Sequence, residues 1–384
     1  MESQELRAIR EGVAAICAQF PGSYWQQCDR DRAYPEAFVA ALTEAGYLAA
    51  LIPEEYGGSG LSLRAGAVIL EEIHRNGCNA AACHAQMYTM GTLLRHGSTA
   101  QKETYLPRIA TGELRLQAFG VTEPSSGTDT LSLQTTARKT DDGYIVNGQK
   151  IWTSRAEYSD LMLLLARTTP RDQVAKRTDG LSVFLLNMKD LIGKGMTIRP
   201  IRTMINHATT EIFFDDLHIP ADSLIGEEGK GFRYILSGMN AERILIAAEC
   251  IGDAKWFIDT ATAYARDRVV FGNPIGRNQG IQFPIARAHA HMLAAEAIVT
   301  RAAETFDRGE DPGGEANIAK MLAADASWEA AEACLQTHGG FGFAEEYDVE
   351  RKYREARLYQ VAPISTNLIL SYIAEHMLGL PKSY

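Results

Sequence analysis

No apolar run in the 384-residue chain approaches the roughly 20 residues needed to span a bilayer. There is no CxxC pair, no GxGxxG opening a βαβ unit, no GxxxxGKS/T loop and no GxSxG elbow. These absences argue against a zinc ribbon or dithiol redox site, a Rossmann or P-loop nucleotide site, and a serine-hydrolase elbow. Gly226-Glu227-Glu228-Gly229-Lys230-Gly231 has the wrong spacing for a phosphate loop and is acidic. Basic residues are in deficit, 38 Lys and Arg against 48 Asp and Glu for a net charge of −10. That balance lacks the basic surface a sequence-independent nucleic-acid binder needs to displace counterions. Met1-Glu2-Ser3-Gln4-Glu5 has neither a basic flank nor an apolar h-region, so a cytoplasmic, unprocessed chain is expected. The six cysteines (Cys17, Cys28, Cys78, Cys83, Cys250, Cys334) are scattered and read as buried free thiols, and Cys78, Cys83 and His84 do not make a convincing metal site.

What is present divides into three parts. Residues 1–115 are Ala-rich and broken at Pro21-Gly22, Pro53 and Gly57-Gly58-Ser59-Gly60, which predicts an α-helical domain. One helix is expected from near Pro35 with Phe38, Leu42 and Ala45 on its apolar face, another over Ala65 to Arg75. Between 116 and 225, short Thr-, Val-, Ile- and Phe-containing runs predict about seven or eight strands in a compact barrel or paired sheets. Asp141-Asp142-Gly143 marks a hairpin between Thr135–Lys139 and Tyr144–Val146, and Leu161–Ala166, Leu181–Leu186, Met196–Ile201 and Glu211–Phe214 supply further strands. From 226 to 384 the pattern returns to long helices over 242–268, 281–307, 315–338 and 364–378, which predicts an antiparallel four-helix bundle. The fold class is therefore α+β and multidomain, with helices, sheet and helices in that order.

Chemistry centres on Phe119-Gly120-Val121-Thr122-Glu123-Pro124-Ser125-Ser126-Gly127-Thr128-Asp129, where a β run meets a loop of small and hydroxyl-bearing residues. Exposed peptide N–H groups and hydroxyls suit the carbonyls and ring nitrogens of a flavin, while an ordinary Asx or Ser turn fits the same residues. Ile151-Trp152-Thr153-Ser154 adds an aromatic face beside hydroxyls, and a lone tryptophan serves a core equally well. His289 and His291 are two apart on a helix, point to different sides and suit a solvated face; His96 and His207 read as surface or packing residues.

These motifs, in this order and over essentially the whole length, resemble the acyl-CoA dehydrogenase family. The resemblance implies an FAD enzyme in which Phe119, Val121, Thr122, Gly127 and Thr128 cradle the isoalloxazine, Trp152 packs against it and the Ser154 hydroxyl points at N5. It implies adenine and pyrophosphate contacts, built across a subunit interface, from Arg268, Phe271, Gln279, Gln336, Gly339 and Gly340, with Ser365 and Asn367 as further flavin contacts. Arg268 offers a planar cation to phosphate, and the glycines permit close backbone approach. A homotetramer assembled as a dimer of dimers, an acyl-CoA substrate touched by Thr128, Asn240 and Arg243, and electron-transfer flavoprotein as acceptor belong to the same expectation. No metal is called for.

One position departs from the family. In Tyr359-Gln360-Val361-Ala362-Pro363-Ile364-Ser365 the usual catalytic glutamate is replaced by Pro363, which cannot accept a proton. Isovaleryl-CoA and long-chain dehydrogenases resemble this chain in carrying the base instead at the start of the first long C-terminal helix, and Met239-Asn240-Ala241-Glu242-Arg243-Ile244-Leu245 matches that pattern. Glu242 is the implied base. A bland reading of Glu242 is a charge placed on a helix N-terminus, and Glu249 is the nearby comparison. Pro363 lacks an N–H, which leaves Ile364 N–H as the loop's donor to a thioester carbonyl. Arg155, where many relatives carry a small residue, is expected to pair with Glu157 or Asp160 on the barrel rim, with a polar acyl group as the alternative partner. Two other activities stay open on the same fold: a flavin oxidase or monooxygenase, and a non-redox acyl-CoA lyase or binding protein.

Overall fold

The computed structural model describes residues 3–382. Six helices come first: α1 (Gln4–Cys17), α2 (Gly22–Asp31), α3 (Glu36–Glu44), α4 (Leu63–Arg75), α5 (Ala81–His96) and α6 (Thr99–Ala110). Their starts follow local chemistry. Ser3, Ser62 and Ser98 each accept a backbone N–H as N-cap, Ser98 within a capping box with Gln101. Pro35 lies one residue outside α3 as its N-cap and not in the first turn, while Phe38 and Leu42 are buried as the spacing predicts.

The middle segment contains β1 (Leu116–Gly120), β2 (Thr136–Lys139), β3 (Gly143–Ser154), β4 (Leu161–Arg167), β5 (Leu181–Asn187), the short helix α7 (Met188–Leu191), β6 (Met196–Pro200), β7 (Thr209–Pro220) and β8 (Leu224–Ile225). They form an eight-stranded sheet ordered β6-β7-β3-β2-β4-β5-β8, with β1 parallel to β4. The Asp141-Asp142-Gly143 hairpin is present, and the strand after it, β3, runs on through Asn147-Gly148 to Ser154. Gly148 sits at a register shift with φ 144°, where a side chain would collide with Thr135, so the chain bulges there and continues.

The unbroken apolar run of β4 has a simple cause. Leu161, Leu163 and Leu165 enter one core with Met90, Leu93, Leu106 and Ile109 of α5 and α6, while Met162, Leu164 and Ala166 enter a second core with Phe184, Ile212 and Phe214. Successive strand residues alternate faces, so burial on both faces demands apolar residues at every position.

The remaining elements are α8 (Gly231–Asp267), the two-residue pair β9 (Val269–Val270) and β10 (Asn273–Pro274), α9 (Gln279–Asp307), α10 (Gly313–His338), α11 (Val349–Tyr359) and α12 (Thr366–Tyr372), the last running into a π turn over Ile373–Met377. α10 packs on α9, α11 and α12, and Ala316, Ala319, Ala323, Ala326 and Ala330 on it are buried. Three expectations need correction. α8 begins at Gly231 and not at Glu242, α11 was not foreseen, and Ile364 and Ser365 precede α12 and do not belong to it.

The chain separates into two compact units. The first gathers the stretch through Asp31, Ser62–Ala80 and everything from Asn240; the second holds Arg32–Leu61 and Ala81–Met239. The N-terminal helices thus divide between the units: α1 and α4 join the helical unit, where α4 packs on α9, while α5 and α6 join the sheet.

Candidate functional site

In the sheet unit, β1 delivers the chain to a loop pinned at its turn by reciprocal bonds, Glu123 N–H to Ser126 O at 3.2 Å and Ser126 N–H to Glu123 O at 3.0 Å. Ile151 N–H donates to Thr122 O at 2.9 Å, which draws the loop against β3. Beneath it lies a buried pair: Lys150 Nζ donates to Glu123 Oε1 at 2.7 Å and to Val121 O at 3.1 Å. Glu123 also accepts Gln134 N–H at 2.6 Å and Thr135 N–H at 2.9 Å. Among the described residues, the Thr122 N–H and hydroxyl have no partner in the chain. They are donors held ready by a locked loop.

Burial alone raises the Glu123 carboxyl, but Lys150 and the backbone donors outweigh it and hold the group below the usual carboxylate range. For Lys150 the balance reverses: burial pushes the ammonium down to about 8, against Glu123. Both positions leave the pair ionised at neutral pH. A carboxyl depressed in the folded state contributes stability above its unfolded pKa, and that stability is lost as pH falls through the folded pKa. Glu123→Gln is therefore expected to cost about 1.5–3 kcal/mol at pH 7, the worth of charge-assisted hydrogen bonds. Thermal melts of both proteins at pH 7 and near pH 4 should show the gap narrowing in acid.

The end of β3 is distorted. Its register with β7 shifts between Lys150 and Thr153, and Trp152, 56% exposed, adopts φ 61°. A left-handed tryptophan costs on the order of 1–2 kcal/mol, so the surrounding strand pairing must over-determine it. The distortion presents a broad aromatic face two residues before Ser154. Ser154 Oγ accepts Asn206 Nδ2 at 2.8 Å, which leaves the serine O–H to donate outward. Asn206 is oriented by Arg155, whose Nη1 lies 3.4 Å from Asn206 Oδ1 and so reserves the amide nitrogen for Ser154. Asn206 itself sits at φ 56°, with Thr209 Oγ1 donating to its carbonyl at 2.6 Å. Sequence reasoning missed Asn206; its signal is an asparagine, a residue tolerant of φ > 0, in the loop before β7.

The expected rim pairing of Arg155 does not form. Asp160 is occupied by Lys189 Nζ at 2.5 Å and by Arg115 N–H at 2.7 Å, and among the described residues Arg155 pairs with no carboxylate.

In the helical unit, Glu242 and Arg243 are 8% and 9% exposed. Arg243 Nη1 donates to Asn240 Oδ1 at 2.8 Å, so two of the expected substrate contacts are joined; its Nε is buried without a partner. Burial pulls the guanidinium below the ordinary arginine value, against Glu242 and Tyr372 nearby. Glu242 lies about three turns inside α8, beyond the first turn to which a helix dipole confines its effect. Neither a start-of-helix placement nor a capping role survives. Glu249 lies 3.7 Å from His74 Nε2 in a separate buried cluster.

The same unit has a cavity of ≈ 630 Å³ whose lining includes Arg268, Tyr264, His338, Gly339, Gly340 and Phe341. Gly339 has φ 58°, and neither glycine has a neighbour within 4 Å of where a Cβ would stand, so the backbone is bare toward the cavity. Arg268 lies over the Phe341 ring at 5.8 Å. Phe271, Gln279 and Gln336 are exposed and do not line it, Ser365 caps α12 by accepting Leu368 N–H, and Asn367 is exposed.

Comparison with known proteins decides the family. The models of the acyl-CoA dehydrogenase N-terminal, middle and C-terminal domains match residues 3–113, 118–217 and 229–378. The chain belongs to the acyl-CoA dehydrogenase family. It is 32% identical to an acyl-CoA dehydrogenase of Mycobacterium bovis over 100% of this chain and 98% of the relative, and 31% identical to glutaryl-CoA dehydrogenase of Desulfococcus multivorans over 99% and 98%. The solved glutaryl-coenzyme A dehydrogenase bound to glutaryl-CoA superposes with a TM-score of 0.92 at 30% identity, covering 100% of this chain and 97% of that one. This dehydrogenase is thus an FAD-dependent oxidoreductase, and its own groups fit the cofactor. The locked Thr122 donors, the exposed Trp152 face and the outward Ser154 hydroxyl suit the ring system. The Arg268 cation and bare Gly339-Gly340 backbone suit a pyrophosphate. Among the described residues, no helix of the dehydrogenase is long and apolar enough to cross a membrane.

Proposed function

We propose that this dehydrogenase converts an acyl-CoA to its trans-2-enoyl-CoA, with Glu242 taking the α-proton. The observation that carries the reading is a buried carboxylate, Glu242, beside a buried Arg243 whose Nε has no partner among the described residues, in a chain whose other base position is Pro363. Bound FAD supplies the acceptor for the β-hydride. Glu242 must be ionised before substrate enters; exclusion of water by the acyl chain then raises its proton affinity toward that of a working general base. Arg243, oriented by Asn240, offers its Nε to a polar ligand atom. Ile364 N–H, which has no acceptor within the described residues, is available to the thioester carbonyl, where developing negative charge strengthens the bond.

A tetramer, a cofactor site completed by a second copy and electron-transfer flavoprotein as acceptor belong to the same proposal. Phe271 is wholly exposed in the single chain and Phe343 is 72% exposed, surfaces for a second copy to cover, and light scattering on the holoenzyme reports the assembly. The relatives' names span acyl groups as different as glutaryl and cyclohex-1-ene-1-carbonyl, so the acyl group is left to experiment. Anaerobic titration with short, branched, long and dicarboxylyl CoA thioesters should bleach the flavin with at least one class. An oxygen pulse should then reoxidise it slowly; rapid reoxidation identifies an oxidase, and no bleaching with any ester sinks the dehydrogenation reading.

A further inference from the structure

Lys320, on α10, is completely buried, yet its ammonium makes no ion pair among the described residues. Its hydrogen bonds go to two main-chain carbonyls, Tyr359 O at 2.8 Å and Ile364 O at 2.9 Å. An ammonium without a counter-ion is costly to bury, and burial accordingly lowers its pKa. The two carbonyls stand at the two ends of the segment containing Pro363. Tyr359 is the last residue of α11, where a cation is favoured by the unsatisfied carbonyls, and Ile364 directly follows the proline. Inside the segment, Val361 N–H and Ala362 N–H both donate to Leu358 O at 3.0 Å. Pro363 has no N–H to give. Ile364 N–H is left without an acceptor while the carbonyl of the same residue is gripped.

We propose that Lys320 is a positioning residue for thioester recognition: by clamping Tyr359 O and Ile364 O it fixes the segment so that Ile364 N–H meets the thioester carbonyl. This rests on the acyl-CoA reading above and assigns that site a part with no contact to substrate or cofactor. A lysine that only stabilised the bundle would weaken every ligand alike, whereas a clamp on the donor is felt only by ligands that have the carbonyl.

The test compares, on the FAD-loaded holoenzyme, the affinity of a trans-2-enoyl-CoA, which cannot reduce the flavin, with that of its thioether analogue, in which the thioester C=O is replaced by CH2. Calorimetry or the shift of the flavin spectrum reads both. Lys320→Met is expected to lower the thioester-to-thioether affinity ratio about five- to tenfold, the loss of one good hydrogen bond to a polarised carbonyl. An unchanged ratio overturns the proposal. Should Lys320→Met fail to hold FAD, Lys320→Arg carries the comparison, because the larger, planar guanidinium must shift the two carbonyls to enter the fully buried place of the ammonium. The same selective loss is expected, and an equal loss for both ligands overturns the clamp. If no acyl-CoA reduces the wild-type flavin, the dehydrogenation reading has failed; if one does and the ratio holds, only the clamp has.

Discussion

Lys352→Met should destabilise the protein by about 3–5 kcal/mol, the cost of stripping one partner from a buried ionic cluster. Lys352 is fully buried on α11, bonded to Asp253 Oδ1 and, at 3.0 Å, to Glu355 Oε2. His74 Nδ1 lies 2.8 Å from Asp253 Oδ1, and Ala80 N–H donates to His74 Nε2 at 3.1 Å, so Nδ1 carries the proton of a neutral ring toward Asp253. Arg351 holds the other side of Glu355 at 2.7 Å. His74, Asp253 and Glu355 are near enough to hold a metal ion, but the Lys352 ammonium already supplies the cation there. Burial pushes the Asp253 carboxyl up; Lys352 and His74 more than reverse this and keep it below the usual range. Removing the lysine takes away the ammonium that neutralises that carboxylate and leaves it the His74 hydrogen bond. Chemical denaturation should show a lower midpoint with an unchanged slope. Combining Lys352→Met with Asp253→Asn should cost less than the sum of the single changes, because the second removes the charge that the first strands. Strict additivity would mean that the two groups do not stabilise each other.

The same cluster shows why α11 was hidden in the sequence. Arg351, Lys352 and Glu355 are buried on α11 beside Val349, Ala356 and Tyr359, so half of the face that packs inward is charged and its apolar period is too sparse to read. The sheet was more legible. β4 and β5 are apolar runs of strand length bounded by turn residues, and the hairpin before β3 carries its own turn chemistry. α8 was placed late because Ser237, Gly238 and Asn240 are weak helix formers, and tertiary packing overrides them. That error mattered to function, since a helix starting at Glu242 made a capping charge plausible and one starting at Gly231 does not.

At the site, the flavin loop and Glu242 were recognisable from linear motifs, because each lies within a few consecutive residues. Asn206 and Lys320 were not. Each acts on a segment about 40 or more residues away, Asn206 on Ser154 and Lys320 on Tyr359 and Ile364, and such contacts exist only once the chain is folded. The expectation for Arg155 failed for a similar reason. Asp160 is close in sequence but is already occupied by Lys189 and the Arg115 backbone.

The central claim is that Glu242 is the base. Glu242→Gln preserves size and hydrogen-bonding shape while removing the group that accepts the proton, so FAD content and enoyl-CoA affinity should stay within a few-fold of wild type. The chemical step should not. Positioned general bases typically contribute about 10²–10⁴ in rate, and with Pro363 in the loop no second carboxylate stands at the family's other base position. The measurement is the rate of flavin bleaching when FAD-loaded Glu242→Gln is mixed anaerobically with the best acyl-CoA, read in a stopped-flow spectrometer beside wild type. A fall of about 10²-fold or more at full FAD content is the predicted result; bleaching at the wild-type rate would contradict it and place the base on another residue.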